Sequence, residues 1–156
     1  MVEKKTLEYN ELKKILPQAH PFILIDRVLE YEKGKSLVAI KNVTGNEWAQ
    51  DDSMFRVRYF PETLLIEAAA QAALVLYHVS KVKPEEKRPK YFLGRTKGEF
   101  LETIFNGDQI TLLAFANKML DNGGYSEVEI SVKSVLVAKV EVIYSVNRQS
   151  LVFDVS

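Results

Sequence analysis

The stretch LLIEAAAQAALVL (residues 64–76) is apolar on almost every side of the helix that it predicts. Pro61 and Glu62, directly before it, are typical of a first helical turn, because proline needs no donor there and an acid favours the positive helix end. We expect the helix to end near Val79, and its alanines permit a sheet to pack closely against it. A helix of this kind lies in a protein core, so the rest of the chain must cover it.

Three polar side chains interrupt this helix along one stripe. With about 100° per residue, Gln71 lies about 40° from Glu67, and His78 returns to within about 20° of it. His78 is about 16 Å farther along the axis, so it cannot act on the same atom as Glu67 from this helix. Two interpretations of Glu67 stay open. It is either a structural carboxylate, bonded across a subunit interface with Gln71 as its partner, or a general acid or base.

The composition excludes several classes of protein. The 156 residues suit one domain over 1–156, with 47% hydrophobic and 27% charged residues. Lys plus Arg and Asp plus Glu both number 21, so no net charge attracts nucleic acid. With no cysteine and two histidines, we expect no disulfide and no metal site, and no cofactor is indicated. The apolar stretch is shorter than the ~20 residues of a membrane span, and the charged N-terminus lacks the apolar core of a signal peptide. We therefore expect a cytoplasmic protein that binds no membrane.

The other segments predict an antiparallel sheet. Residues 9–16 read as a short helix, with Asn10 as its N-cap and Pro17 as its end. Strands are expected at 22–28, 36–44, 91–100, 109–118, 125–134 and 135–146, and a loop or irregular strand at 45–60. Within 125–134, apolar Val128, Ile130 and Val132 alternate with polar neighbours. Short turns between consecutive strands indicate antiparallel pairing, and one long helix beside such a sheet makes an α+β fold.

Four stretches, in order, resemble the motifs of one enzyme family. They are LPQAHPFILIDRV (16–28), IKNVTGNE (40–47), LLIEAAAQAA (64–73) and YFLGRTKGEFLETIFNGDQITL (91–112). They are similar to LPHRYPFLLVDRV, KNVTxNE, LxIEAMAQAA and YFxGIDKARFxxPVxPGDQLxL of the β-hydroxyacyl-acyl carrier protein dehydratases of fatty acid synthesis. The resemblance is strongest over residues 12–118. It implies the hotdog fold, in which an antiparallel sheet wraps one long central helix.

The resemblance also implies a site shared by two subunits. In the family, a loop histidine removes the C2 proton of a 3-hydroxyacyl thioester, and a carboxylate on the central helix of the other subunit assists departure of the hydroxyl as water. Glu67 matches that carboxylate and Gln71 the helix glutamine, and we expect Phe60 and Phe100 to contact the substrate. The implied partners are an acyl thioester on acyl carrier protein or coenzyme A, and further copies of the chain in a homodimer or a trimer of dimers.

The family's loop histidine has no counterpart in this chain. The motif GHFPGxPxxPGxLxxE places the histidine 14 residues before the carboxylate, and 14 residues before Glu67 stands Ser53. A serine does not accept a proton near neutral pH without help. Asp51 and Asp52 adjoin this position, but we expect them to be solvated loop charges. The sequence therefore predicts a retained acid without its usual base.

Other side chains are weaker substitutes for the missing base. His20, between Ala19 and Pro21, and His78 are each expected to have a structural or surface role. Arg56 and Arg58 are expected to face solvent, with a phosphopantetheine phosphate as the alternative ligand.

Three hypotheses for the function remain. The first is a divergent dehydratase that is either a weak or inactive homodimer or the partner of a histidine-bearing relative, to which it contributes Glu67. The second is a hotdog thioesterase in which Glu67 acts as nucleophile or general base, with Gln71 or Ser53 orienting water. The third is a subunit that binds acyl thioesters without turnover.

Overall fold

The predicted core helix is present in the computed structural model, which describes residues 5–45 and 59–148. In chain order the elements are β1 (Lys5–Leu7), α1 (Tyr9–Ile15), β2 (Arg27–Glu32), β3 (Ser36–Asn42), α2 (Glu62–Lys81), β4 (Lys90–Phe100), β5 (Gln109–Leu120), β6 (Gly123–Val132) and β7 (Val135–Asn147). The four strands predicted after the core helix are confirmed, with bounds that differ by no more than two residues.

The seven strands form one sheet in the order β1-β2-β3-β5-β6-β7-β4. Every neighbouring pair is antiparallel. The chain leaves the sheet after β3, passes through α2 and returns as the edge strand β4 beside β7. Helix α2 contacts β3, β4, β5, β6 and β7, so it lies across the middle of the sheet. This arrangement confirms the predicted α+β fold.

The core lies between α2 and one face of the sheet. Ala68, Ala69, Ala72 and Ala73 of α2 are fully buried, as expected for side chains that let a sheet approach closely. Strand β6 alternates as its sequence predicts, because its Val128 and Ile130 are buried while Glu127 and Glu129 are exposed. Apolar burial of this kind is the main source of stability in such a fold.

Helix α2 is long and apolar enough to cross a membrane by length and composition. However, 67% of its most apolar window is buried inside the fold, which is the environment of a core helix.

Two predictions near the N-terminus are wrong. Helix α1 begins at Tyr9 and is capped by Glu8 rather than Asn10, because the Glu11 carboxylate accepts a hydrogen bond of 2.7 Å from the Glu8 N–H. The strand predicted at 22–28 lies instead at Arg27–Glu32. Before it, the backbone groups of Phe22 and Leu24 bond to the side chain of Gln71 on α2, and the Asp26 N–H donates to the Ile40 carbonyl of β3. The three-residue strand β1 was not predicted, because it is too short to show a period.

Candidate functional site

Glu67 lies half-buried on α2 and faces segment 16–24, which precedes β2. Its Oε1 accepts two hydrogen bonds of 3.0 Å, one from Gln18 Nε2 and one from Gln71 Nε2. None of the described residues donates a hydrogen bond to Oε2. One carboxyl oxygen is therefore held by the protein, and the other is left for a ligand or solvent.

Gln71 is fully buried, and all its polar atoms have partners within the same chain. Its Oε1 accepts a hydrogen bond of 2.9 Å from the Leu24 N–H, and its Nε2 donates to the Phe22 carbonyl (2.8 Å) as well as to Glu67. The amide thereby bonds the backbone of Phe22 and Leu24 as a neighbouring strand would. Gln71 is thus a partner of Glu67 within one chain, as in the structural interpretation of Glu67, and it also fixes segment 16–24 to the helix.

Segment 16–24 is held at its beginning too. Pro17 cannot continue α1, so the chain turns away at Leu16, whose carbonyl accepts a hydrogen bond of 2.9 Å from Arg88 Nη1. A second bond of 2.8 Å joins the Phe22 N–H to the Ala19 carbonyl. These contacts place Gln18 opposite Glu67.

Neither histidine bonds to Glu67 in the described part of the chain. His20 is exposed and lines a cleft of about 430 Å³ together with Asp26 and Lys41. His78 is half-buried, with Nδ1 2.8 Å from the hydroxyl of Tyr91. Burial, followed by the nearby charge of Arg88, lowers the pKa of His78 below its ordinary value of 6.5. Both positions agree with the structural and surface roles expected of them.

Phe60 and Phe100 meet in a cleft of about 470 Å³ at the start of α2. The Phe60 N–H donates a hydrogen bond of 2.7 Å to the Ile104 carbonyl, which fixes the chain at the cleft wall. A side chain at Gly98 would lie 2.6 Å from the Phe100 ring, so glycine leaves room for that ring on β4.

The cleft with Phe60 and Phe100 does not include Glu67 or Gln71 among its described lining residues. Thr63 and Leu65 of α2 line the cleft, and Thr63 stands four residues before Glu67, about 40° from it around the helix. The cleft therefore lies beside the first turn of α2, and Glu67 lies about one turn farther along the helix.

Several predicted residues lie outside the described part of the chain: Ser53, Asp51, Asp52, Arg56 and Arg58. Conversely, Gln18 contacts Glu67 but was not predicted as a site residue. Its only signal was the polar position that Gln18 shares with a histidine in the motif LPHRYPF.

Comparison with known proteins then relates this geometry to a family. A profile described as the FabA-like domain matches residues 16–147. The chain belongs to the FabA-like family.

A 3-hydroxyacyl-acyl-carrier-protein dehydratase FabZ from Clostridium botulinum (strain Loch Maree / Type A3) is 33% identical to this FabA-like chain over 147 residues, which are 93% of this chain and 99% of that relative. The FabZ of Janthinobacterium sp. (strain Marseille) is 40% identical over 109 residues, 69% of this chain and 70% of that relative. The predicted family is confirmed.

Solved structures confirm the hotdog fold of this FabA-like protein. The dehydratase heterocomplex ApeI:P from Xenorhabdus doucetiae aligns with a TM-score of 0.75 at 14% identity, over 90% of this chain and 91% of that one. A hypothetical thioesterase with coenzyme A from Streptococcus pneumoniae aligns with a TM-score of 0.59 at 11% identity, over 79% of this chain and 87% of that one. At these identities the likeness is one of fold alone.

Proposed function

We propose that this chain is a dehydratase subunit for (3R)-hydroxyacyl thioesters, in which Glu67 is the acid and a partner subunit supplies the base. The proposal rests on the different hydrogen bonding of the two oxygens of the Glu67 carboxyl group. Two amide donors hold its Oε1, and no described residue donates to its Oε2. FabZ relatives are named for 3-hydroxyacyl-acyl-carrier-protein substrates, so a thioester of acyl carrier protein or coenzyme A is the proposed ligand.

The reaction needs an acid and a base on the same substrate. The base takes the C2 proton, the C3–O bond breaks, and the leaving hydroxyl takes a proton from Glu67 Oε2, so that the products are an enoyl thioester and water. Hydration of an enoyl thioester is the same path in reverse. Because hydroxide is a poor leaving group, the proton on Oε2 must be in place before the C3–O bond breaks.

The base is proposed to come from a second, histidine-bearing subunit. Ser53 occupies the family's histidine position in the sequence, and the hydrogen bonds to Glu67 in the described residues come from two glutamines. The Xenorhabdus fold neighbour is itself a dehydratase heterocomplex. A dimer or a trimer of dimers in the cytoplasm is the proposed assembly.

A carboxylate-dependent thioesterase is the second candidate. It is favoured by the lack of a histidine bonded to Glu67 among the described residues, since a carboxylate alone can direct water at a thioester carbonyl. Water would then add to the carbonyl, the C–S bond would break, and a carboxylic acid and a free thiol would leave.

One assay separates these candidates. The chain is mixed with each histidine-bearing relative from the same cell, and hydration of crotonyl-coenzyme A is followed beside release of free thiol. We expect the mixture to hydrate faster than the relative alone, and Glu67→Gln in this chain to remove the gain. Thiol release that is lost in Glu67→Gln indicates the thioesterase. Saturable binding without either product indicates a binding subunit, and mixtures no faster than any relative alone contradict the proposal.

A further inference from the structure

The two glutamines that hold Glu67 differ in how well their own polar atoms are satisfied. Gln71 has a protein partner for its oxygen and two acceptors for its nitrogen. Gln18 donates to Glu67 through Nε2, but its Oε1 is buried and accepts no hydrogen bond from the described residues. The fold therefore explains Gln71, which ties segment 16–24 to α2, but it does not explain Gln18.

The unpaired Oε1 of Gln18 costs stability where it stands. A buried carbonyl oxygen without a donor has lost its hydration and gained nothing in return, so an apolar side chain of similar length would suit folding better. Buried polar atoms without a hydrogen-bond partner are expected at functional sites, where the side chain is kept for its role and not for stability. The group that Gln18 touches is the candidate acid.

The two amide donors also decide which oxygen of Glu67 can react. Both donors converge on Oε1, so its lone pairs are occupied and rotation of the carboxyl group is restricted. A proton carried by the carboxyl group therefore lies on Oε2. We propose that Gln18 is a positioning residue, which with Gln71 fixes the Glu67 carboxyl group so that Oε2 faces the substrate. The identity of the substrate in this inference rests on the proposed function. The orientation of the carboxyl group rests on the observed hydrogen bonds.

The backbone around Gln18 is suited to this role. Arg88 holds the Leu16 carbonyl before it, and the bond from the Phe22 N–H to the Ala19 carbonyl closes the turn after it. The Gln18 side chain is therefore presented from a fixed segment rather than from a free loop.

Two substitutions test the positioning role. Gln18→Met keeps the length of the side chain but removes both the donor and the unpaired oxygen. Gln18→His keeps an N–H donor and matches the histidine of the family motif. Each is studied in the full chain by thermal unfolding, by the infrared band of the Glu67 carboxyl group (taken as the difference from the Glu67→Gln protein) and by crotonyl-coenzyme A hydration in the mixture with a histidine-bearing relative.

We expect Gln18→Met to unfold at the same temperature as the wild type or higher, and the Glu67 band to shift. We also expect kcat to fall at least about tenfold with little change in KM, because a displaced acid affects the reaction step rather than binding. Gln18→His should recover part of the band position and of kcat. A clear fall in unfolding temperature, an unshifted band, or an unchanged kcat in an active mixture overturns the inference.

The proposed function and the positioning role fail in different ways. If the wild-type mixture neither binds nor hydrates crotonyl-coenzyme A, the proposed function is wrong. The infrared band then still decides whether Gln18 fixes the carboxyl group, since it needs no substrate.

Discussion

The two ends of α2 differ in how their polar side chains are bonded. Near the N-terminal end, one carboxyl oxygen of Glu67 accepts no hydrogen bond from the described residues. Near the C-terminal end, Tyr77 and His78 form hydrogen bonds with residues of the sheet. The Tyr77 hydroxyl lies 3.0 and 2.9 Å from the carbonyl oxygens of Leu120 and Asp121, in the turn between β5 and β6. His78 bonds to Tyr91 of β4. The difference shows that a polar residue in a core helix is not by itself a sign of function. The informative feature is a reactive atom that the fold leaves without a partner.

The largest expected contrast is in turnover. Glu67→Gln keeps the shape of the side chain but cannot deliver the proton, so hydration by the mixture with a histidine-bearing relative should fall by about 100-fold or more. His78→Gln, at the other end of the same stripe, should leave the rate close to that of the wild type. Initial rates of crotonyl-coenzyme A hydration are measured for both variants. Equal losses of rate would show that the two ends of α2 do not differ in their role in the reaction.

The next largest expected effect is a difference in stability between substitutions of the two glutamines that bond to Glu67. Gln71→Leu leaves the Leu24 N–H without its acceptor in a buried setting, which costs about 1–3 kcal/mol. For a chain of this size, that lowers the midpoint of thermal unfolding by roughly 3–10 °C. Circular dichroism during heating measures the change. Gln18→Met is the matched control, and a Gln71→Leu protein as stable as that control would show that segment 16–24 does not depend on this amide.

At the C-terminal end, Tyr77→Phe should have a smaller effect. The substitution removes one hydroxyl donor, and water can still reach the exposed turn at Asp121, so the expected loss is about 1 kcal/mol. Hydration by the mixture should be unchanged. A loss of turnover without a loss of stability would instead place this end of α2 in the reaction.

The smallest expected effect is the pH dependence of stability that His78 contributes. Its pKa is lowered in the folded protein, so below its ordinary value of 6.5 the unfolded chain binds the proton more readily. Stability is therefore lost as the pH falls through the region below 6.5, and His78→Gln should remove this part of the loss. Urea unfolding of both proteins across that range measures the difference. Parallel curves would mean that His78 is not buried in its neutral form.

The sequence predicts best what depends on neighbours in the chain. Helix α2 and strands β4 to β7 were predicted within a few residues, because each has a continuous apolar or alternating pattern. The strand predicted at 22–28 was wrong because segment 16–24 is fixed by Gln71, which lies 47 residues away from Leu24. Gln18 was missed for the same reason, since its contact with Glu67 spans 49 residues. Hydrogen bonds of this range leave no period in the sequence.

Subunit complementation shows whether Glu67 acts as an acid together with a base from another subunit. One chain carries Ser53→His and Glu67→Gln, so that it offers the base without the acid, and the other chain is wild type. The two are co-expressed, and crotonyl-coenzyme A hydration is measured for each homomer and for the purified mixed assembly. We expect negligible hydration by either homomer and clear hydration by the mixed assembly, because only there do the two groups meet. Equal hydration by the wild-type homomer and the mixed assembly, or none in the mixed assembly, would contradict it.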